Sequence, residues 1–138
     1  MSDSRYQVTV DVRFRDCDPL GHVNNAVYLT YFEVARFGYW REVLGHTDLT
    51  HQPTFILARV ECDFRAPATV GDVLDVKLRA GHIGRSSFAF EGQIVQRRDG
   101  TVVAEAKTVQ VMYDYGQGRS VPMPDDVRAK IEAYEAGR

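Results

Sequence analysis

Cysteine is scarce in this chain, which holds only Cys17 and Cys62. That excludes the disulfide framework that staples small secreted domains. Long apolar runs are also missing. The richest segment, Ala26 to Leu44, is broken by Thr30, Glu33, Arg36, Arg41 and Glu42, so a membrane span is not expected there. Neither charge sign dominates: 17 Lys and Arg stand against 19 Asp and Glu, a formal net charge of −2. Apart from Arg97-Arg98 the basic residues are scattered, so nucleic acid is not an expected partner. Met1 to Arg5 lacks an apolar stretch of the kind a signal peptide needs, and a cytoplasmic protein is the expectation. Repeats and low-complexity segments are absent.

What is present fits one domain over residues 1–138, with 44% apolar and 26% charged residues. A chain of this length buries about two thirds of its unfolded surface and needs no metal or disulfide staple. Tyr6, Val8, Val10, Val12 and Phe14 alternate with polar residues, which predicts a strand with one buried face. Residues 24 to 44 predict a single helix of about 30 Å. Apolar side chains lie on nearly every side of it, so it is expected to be largely enclosed. Gly38 in its interior costs about 1 kcal/mol against alanine, which predicts close approach of another backbone. Four strands follow, at about 55–66, 72–83, 86–98 and 101–113, with Gly71-Asp72, Gly84-Arg85 and Asp99-Gly100 at the turns. Short links make neighbouring strands antiparallel. The glycine-rich stretch 115–120 reads as loose, and Pro124 opens a short closing helix over about 124–136. An α+β domain follows: one antiparallel sheet wrapped around one long central helix, its core over residues 6–114.

The chemistry concentrates between strand and helix, in Asp16-Cys17-Asp18-Pro19-Leu20-Gly21-His22-Val23-Asn24-Asn25. A helix start carries unpaired N–H groups and a partial positive charge. A carboxylate beside such a start joins a base or nucleophile to a site for a developing oxyanion. Asp18 is the candidate reacting carboxylate. His22 is a candidate for acid–base help, the Asn25 N–H for polarising a carbonyl, and Asn24 for the helix cap and substrate contact. Asp16 reads as a structural residue of the turn. Cys17 is flanked by aspartates, which disfavour a thiolate, and reads as a small packing residue. The spacing Asp16-x-Asp18-x-x-Gly21 superficially resembles a calcium loop, but Leu20 and Val27 stand where acidic ligands are needed. His46 and His51 lack partners at ligand spacing. Neither metal nor cofactor is expected.

The string Phe14 to Asn25, followed by Tyr28 and Tyr31-Phe32-Glu33, resembles the 4-hydroxybenzoyl-CoA thioesterase family of the hot-dog fold. The resemblance continues at Ala66-Pro67-Ala68-Thr69-Val70-Gly71-Asp72 and Gly84-Arg85-Ser86-Ser87-Phe88. It implies hydrolysis of an acyl-CoA to an acid and free CoA without a metal, by homodimers or homotetramers with sites between subunits. It gives Asp18 the catalytic role and the N–H near Asn25 the carbonyl contact, and it sets Arg85, Ser86 and Ser87 where CoA phosphates are met. Arg59, Arg97 and Arg98 read as solvated charges rather than phosphate ligands. Two other readings are a hot-dog hydratase or dehydratase acting on acyl thioesters, and a non-catalytic acyl-CoA-binding protein. An acyl-carrier-protein substrate would ask for a basic docking face, and no such cluster is visible.

Overall fold

The computed structural model describes residues 4–46 and 54–137. Strand β1 (Tyr6–Asp11) is followed by a single 3-10 turn (Phe14–Asp16) and the long helix α1 (Asn25–Glu42). Four strands then run in succession, β2 (Thr54–Phe64), β3 (Val73–Ile83), β4 (Ser87–Gln96) and β5 (Val102–Asp114). A two-residue strand β6 (Arg119–Ser120) and helix α2 (Asp125–Ala136) close the chain. His51 lies outside the described residues.

The strand order is β1-β3-β4-β5-β2, every pairing antiparallel. Alternation sets the register: Leu74, Val76, Leu78 and Ala80 of β3 are all buried, and their neighbours half-exposed. The sheet curls around α1. Trp40 meets Phe55 at 4.8 Å between ring centroids, and Tyr39 meets Phe90 at 4.8 Å, both edge to face, an arrangement that suits the ring quadrupoles. Gly92 on β4 lies directly under Phe32, where a Cβ would collide with the ring.

Strand β1 does not continue to Phe14. The chain curls at Arg13 because the Asp16 carboxylate draws back the Arg13 N–H, and Phe14 ends 87% exposed. Gly38 makes room for the phenol of Tyr6, a side chain rather than a backbone. The stretch 115–120 is not loose but a hairpin, with Tyr113 paired to Ser120. Its turn is held by Asp114, whose Oδ1 accepts the Gly116 N–H at 2.8 Å. The helix is also less enclosed than its composition suggested. Leu29 and Val34 join Thr30, Glu33 and Arg41 on an exposed strip.

Candidate active site

The segment between β1 and α1 folds into a miniature hairpin. Cys17 bridges Val23, the Asp18 N–H donates to the His22 carbonyl at 2.9 Å, and the Gly21 N–H returns to the Asp18 carbonyl at 2.9 Å. Gly21 sits at φ 83, a left-handed conformation that favours glycine. Pro19 and Leu20 thus form the tip, with Asp18 and His22 on its two arms.

Asp16 anchors this hairpin. It is 3% exposed. Its carboxylate accepts the Arg13 guanidinium at 2.9 Å, the Arg13 N–H at 3.1 Å and the Tyr31 hydroxyl at 2.7 Å. Burial pushes this carboxyl up, but the bonds from Arg13 and Tyr31 outweigh it and hold it below the ordinary carboxylate range. Burial and the same carboxylate push the Tyr31 phenol well above its usual value. The Asp16 carbonyl accepts the Asn24 N–H at 2.9 Å, so one residue ties the strand end, the second turn of α1 and the residue before α1.

Asn24 caps α1, its Oδ1 accepting the Ala26 N–H at 2.9 Å. The Asn25 N–H makes no hydrogen bond among the described residues. A free N–H at a helix start is a donor with the helix dipole behind it. Asp18 has one oxygen engaged: Oδ1 accepts the Leu20 N–H at 2.9 Å, while Oδ2 takes no bond among the described residues. Asp18, His22, Asn24 and Asn25 line one cavity of about 430 Å³ together with Tyr28, Phe64 and Arg65. Asp18, His22 and Asn25 therefore border one space large enough for a ligand. Cys17 does not line it; its side chain packs against the core.

The opposite wall is the segment after β2. The Val23 N–H donates to Ala68 at 2.8 Å, and the Thr69 hydroxyl donates to the Gly21 carbonyl at 2.9 Å. Asp72 holds that segment through the Thr69 N–H, Gln96 and Arg98 at 2.9, 2.7 and 2.7 Å. Burial opposes its ionisation, yet these bonds keep it below the ordinary range. Phe64 and Arg65 on this wall escaped the reading of the sequence. Their only signal was their place just ahead of Ala66-Pro67.

Arg85, Ser86 and Ser87 are not in this cavity. They form the β3–β4 turn, where the Gly84 N–H meets the Ser87 carbonyl at 2.7 Å, at the other end of the sheet. Strand β3 alone separates the two places by roughly 30 Å. Arg97 and Arg98 are held in ion pairs with Asp75 and Asp72, and Arg59 with Glu61. His46 is buried against the Trp40 ring.

One helix wrapped by one antiparallel sheet, with a loop carboxylate beside the helix start, defines a hot-dog thioesterase. The chain belongs to the thioesterase-like superfamily, whose profile matches residues 12–131. It is similar to a thioesterase from Thermus thermophilus, solved in complex with coenzyme A and Zn, at 40% identity and a TM-score of 0.88. That match covers 100% of this chain and 98% of the other. It is 27% identical to the long-chain acyl-CoA thioesterase FadM of Escherichia coli K12, over 91% of this chain and 96% of the relative. It is 31% identical to the 1,4-dihydroxy-2-naphthoyl-CoA hydrolase of Synechococcus sp. CC9605, over 92% and 89%.

Proposed function

We propose that the protein is a cytoplasmic acyl-CoA thioesterase that releases a carboxylic acid and free CoA, with Asp18 as the reacting carboxylate. The observation that carries this reading is that Asp18 and Asn25 border one cavity, with Asp18 Oδ2 and the Asn25 N–H both without a hydrogen bond among the described residues. The thioester carbonyl oxygen accepts the Asn25 N–H, which stabilises the negative charge that develops there. Asp18 then acts by one of two routes. As a base it takes a proton from water, the hydroxide adds to the carbonyl carbon, and the C–S bond breaks to release the thiolate. As a nucleophile it adds to the carbon itself, expels the thiolate and leaves a mixed anhydride that water cleaves. In both, the thiolate finally gains a proton and His22, on the facing arm, relays it.

The remaining part of the reading is a homodimer, alone or paired into a tetramer. Strand β2 is an outer strand of the sheet, and an antiparallel pairing of two copies along it sets the Phe64 end of one beside the Thr54 end of the other. Such a twofold brings the partner's end of the sheet, the end that holds the β3–β4 turn, toward this cavity. Arg85, Ser86 and Ser87 of a second copy then meet the CoA phosphates that their own cavity lies too far away to present. Thiol release from a panel of short, medium, long and aromatic acyl-CoAs tests the function. Turnover that scales with enzyme supports it; saturable binding without thiol release would instead favour the acyl-CoA-binding alternative. Loss of water from a β-hydroxyacyl-CoA added to the panel, to give a 2-enoyl thioester without thiol release, would favour the hydratase or dehydratase alternative.

A further inference from the structure

Arg36 lies on the inner side of α1, 5% exposed. It makes no ion pair or hydrogen bond among the described residues; burial depresses its pKa, opposed by the nearby Glu33 charge. A guanidinium keeps its proton in proteins, so the positive charge is buried with no counter-ion in contact among the described residues. Such a charge is costly unless something pairs with it.

The side chain lines a second cavity, of about 140 Å³. Leu29, Phe32, Leu57 and Val60 give it apolar walls, and Thr108 adds a buried hydroxyl. That hydroxyl already accepts a hydrogen bond from Gln110, so its own hydrogen is available to donate. Glu33 also borders the cavity but is exposed, so water screens its charge. The buried polar groups that face the space, Arg36 and Thr108, are both donors.

The same two elements build both cavities. Helix α1 gives Asn25 and Tyr28 to the first and Leu29, Phe32 and Arg36 to the second. Strand β2 gives Phe64 to the first and Val60 and Leu57 to the second. From Asn25 to Arg36 the helix rises about 16 Å. An acyl group that runs from a thioester carbonyl at Asn25 along α1 and β2 would end at Arg36. The CoA nucleotide cannot take this direction, because a space of 140 Å³ is below what drug-sized ligands occupy.

Resting on the thioesterase reading, we propose that the cavity beneath α1 receives the far end of the acyl group and that Arg36 selects acyl groups bearing a distal carboxylate. The carboxylate takes a charge-assisted, two-pronged contact from the guanidinium and a third bond from Thr108. A plain alkyl end leaves the buried cation unpaired and is disfavoured for that reason.

The test compares linear acyl-CoAs with ω-carboxyacyl-CoAs of equal chain length, by thiol release, in wild type, Arg36→Met and Thr108→Val. Wild type is expected to favour the ω-carboxy series at its best length by at least about tenfold in kcat/KM. In Arg36→Met that ratio falls to about one, and Thr108→Val lowers it severalfold and serves alone where Arg36→Met does not fold. Hydrolysis of the plain series with no ω-carboxy preference overturns this inference and leaves the hydrolase reading standing. So does a preference that survives the substitutions, even where Arg36→Met separates the subunits and marks an interface role instead. No thiol from either series overturns this inference, and the hydrolase reading falls with it only when the aromatic acyl-CoAs of the panel release none either.

Discussion

Tyr31 donates its phenolic hydrogen to the Asp16 carboxylate at 2.7 Å, so the second turn of α1 holds the residue that holds the site loop. Asp16→Asn keeps the shape but weakens the charge-assisted bonds to Arg13 and Tyr31. Leaving a buried group unsatisfied costs about 1–3 kcal/mol, and the variant is expected to lose stability in that range. Urea unfolding at constant m-value checks this. A midpoint equal to wild type would show that Asp16 does not anchor the loop.

The same bonds set the acid response. Asp16 and Asp72 both ionise below the ordinary carboxylate value of about 3.9. A depressed folded-state pKa adds stability that is complete above the unfolded value and is lost as pH falls through the folded one. The thermal midpoint is therefore expected to hold near pH 6 and to drop below about pH 4, more shallowly in Asp16→Asn. A midpoint independent of pH down to 3, or an equally steep drop in the variant, counts against these two carboxylates.

Gly38 faces Tyr6, and an added Cβ would come within 3.3 Å of the ring carbon Cζ and closer still to its hydroxyl. Alanine gains about 1 kcal/mol of helix propensity, while overpacking a closed site costs typically about 1–3 kcal/mol. Gly38→Ala is expected to lower stability. A more stable variant would mean that Tyr6 swings aside freely.

Arg85→Ala is expected to raise KM for acyl-CoA with little change in kcat, since a phosphate far from the reacting carbon contributes uniform binding. The same acyl group on a short pantetheine should not feel the substitution. Equal weakening of both substrates would remove Arg85 from phosphate contact.

The strands and helices were legible because alternation and helical spacing are local properties of the chain. Val109 and Val111 alternate with Thr108, Gln110 and Met112, yet the face that turns inward is the one with the two polar residues. Pairing partners decide that, and they lie far away in sequence. Phe14 departs from the strand pattern because one carboxylate, Asp16, overrides it through Arg13. The hairpin at 115–120 was hidden by its glycines, whose turn depends on Asp114 accepting the Gly116 N–H. Within the site, the loop from Asp16 to Asn25 could be read directly, because a helix cap and a tight turn are written in neighbouring residues. Phe64 and Arg65 could not, because contacts distant in sequence, such as Val23 with Ala68 and Thr69 with Gly21, bring their segment to the loop.

The central claim is that Asp18 performs the chemistry. Asn at this position preserves the size and the Oδ1 bond to the Leu20 N–H, but is a poor base and nucleophile. Asp18→Asn is expected to cut kcat by at least about a hundredfold, with an unchanged thermal midpoint and unchanged binding of a non-hydrolysable CoA thioether. Cys17→Ala, measured beside it, should turn over nearly as wild type, because that side chain packs against the core. Turnover near wild type in Asp18→Asn, with the fold and thioether binding intact, would contradict the account.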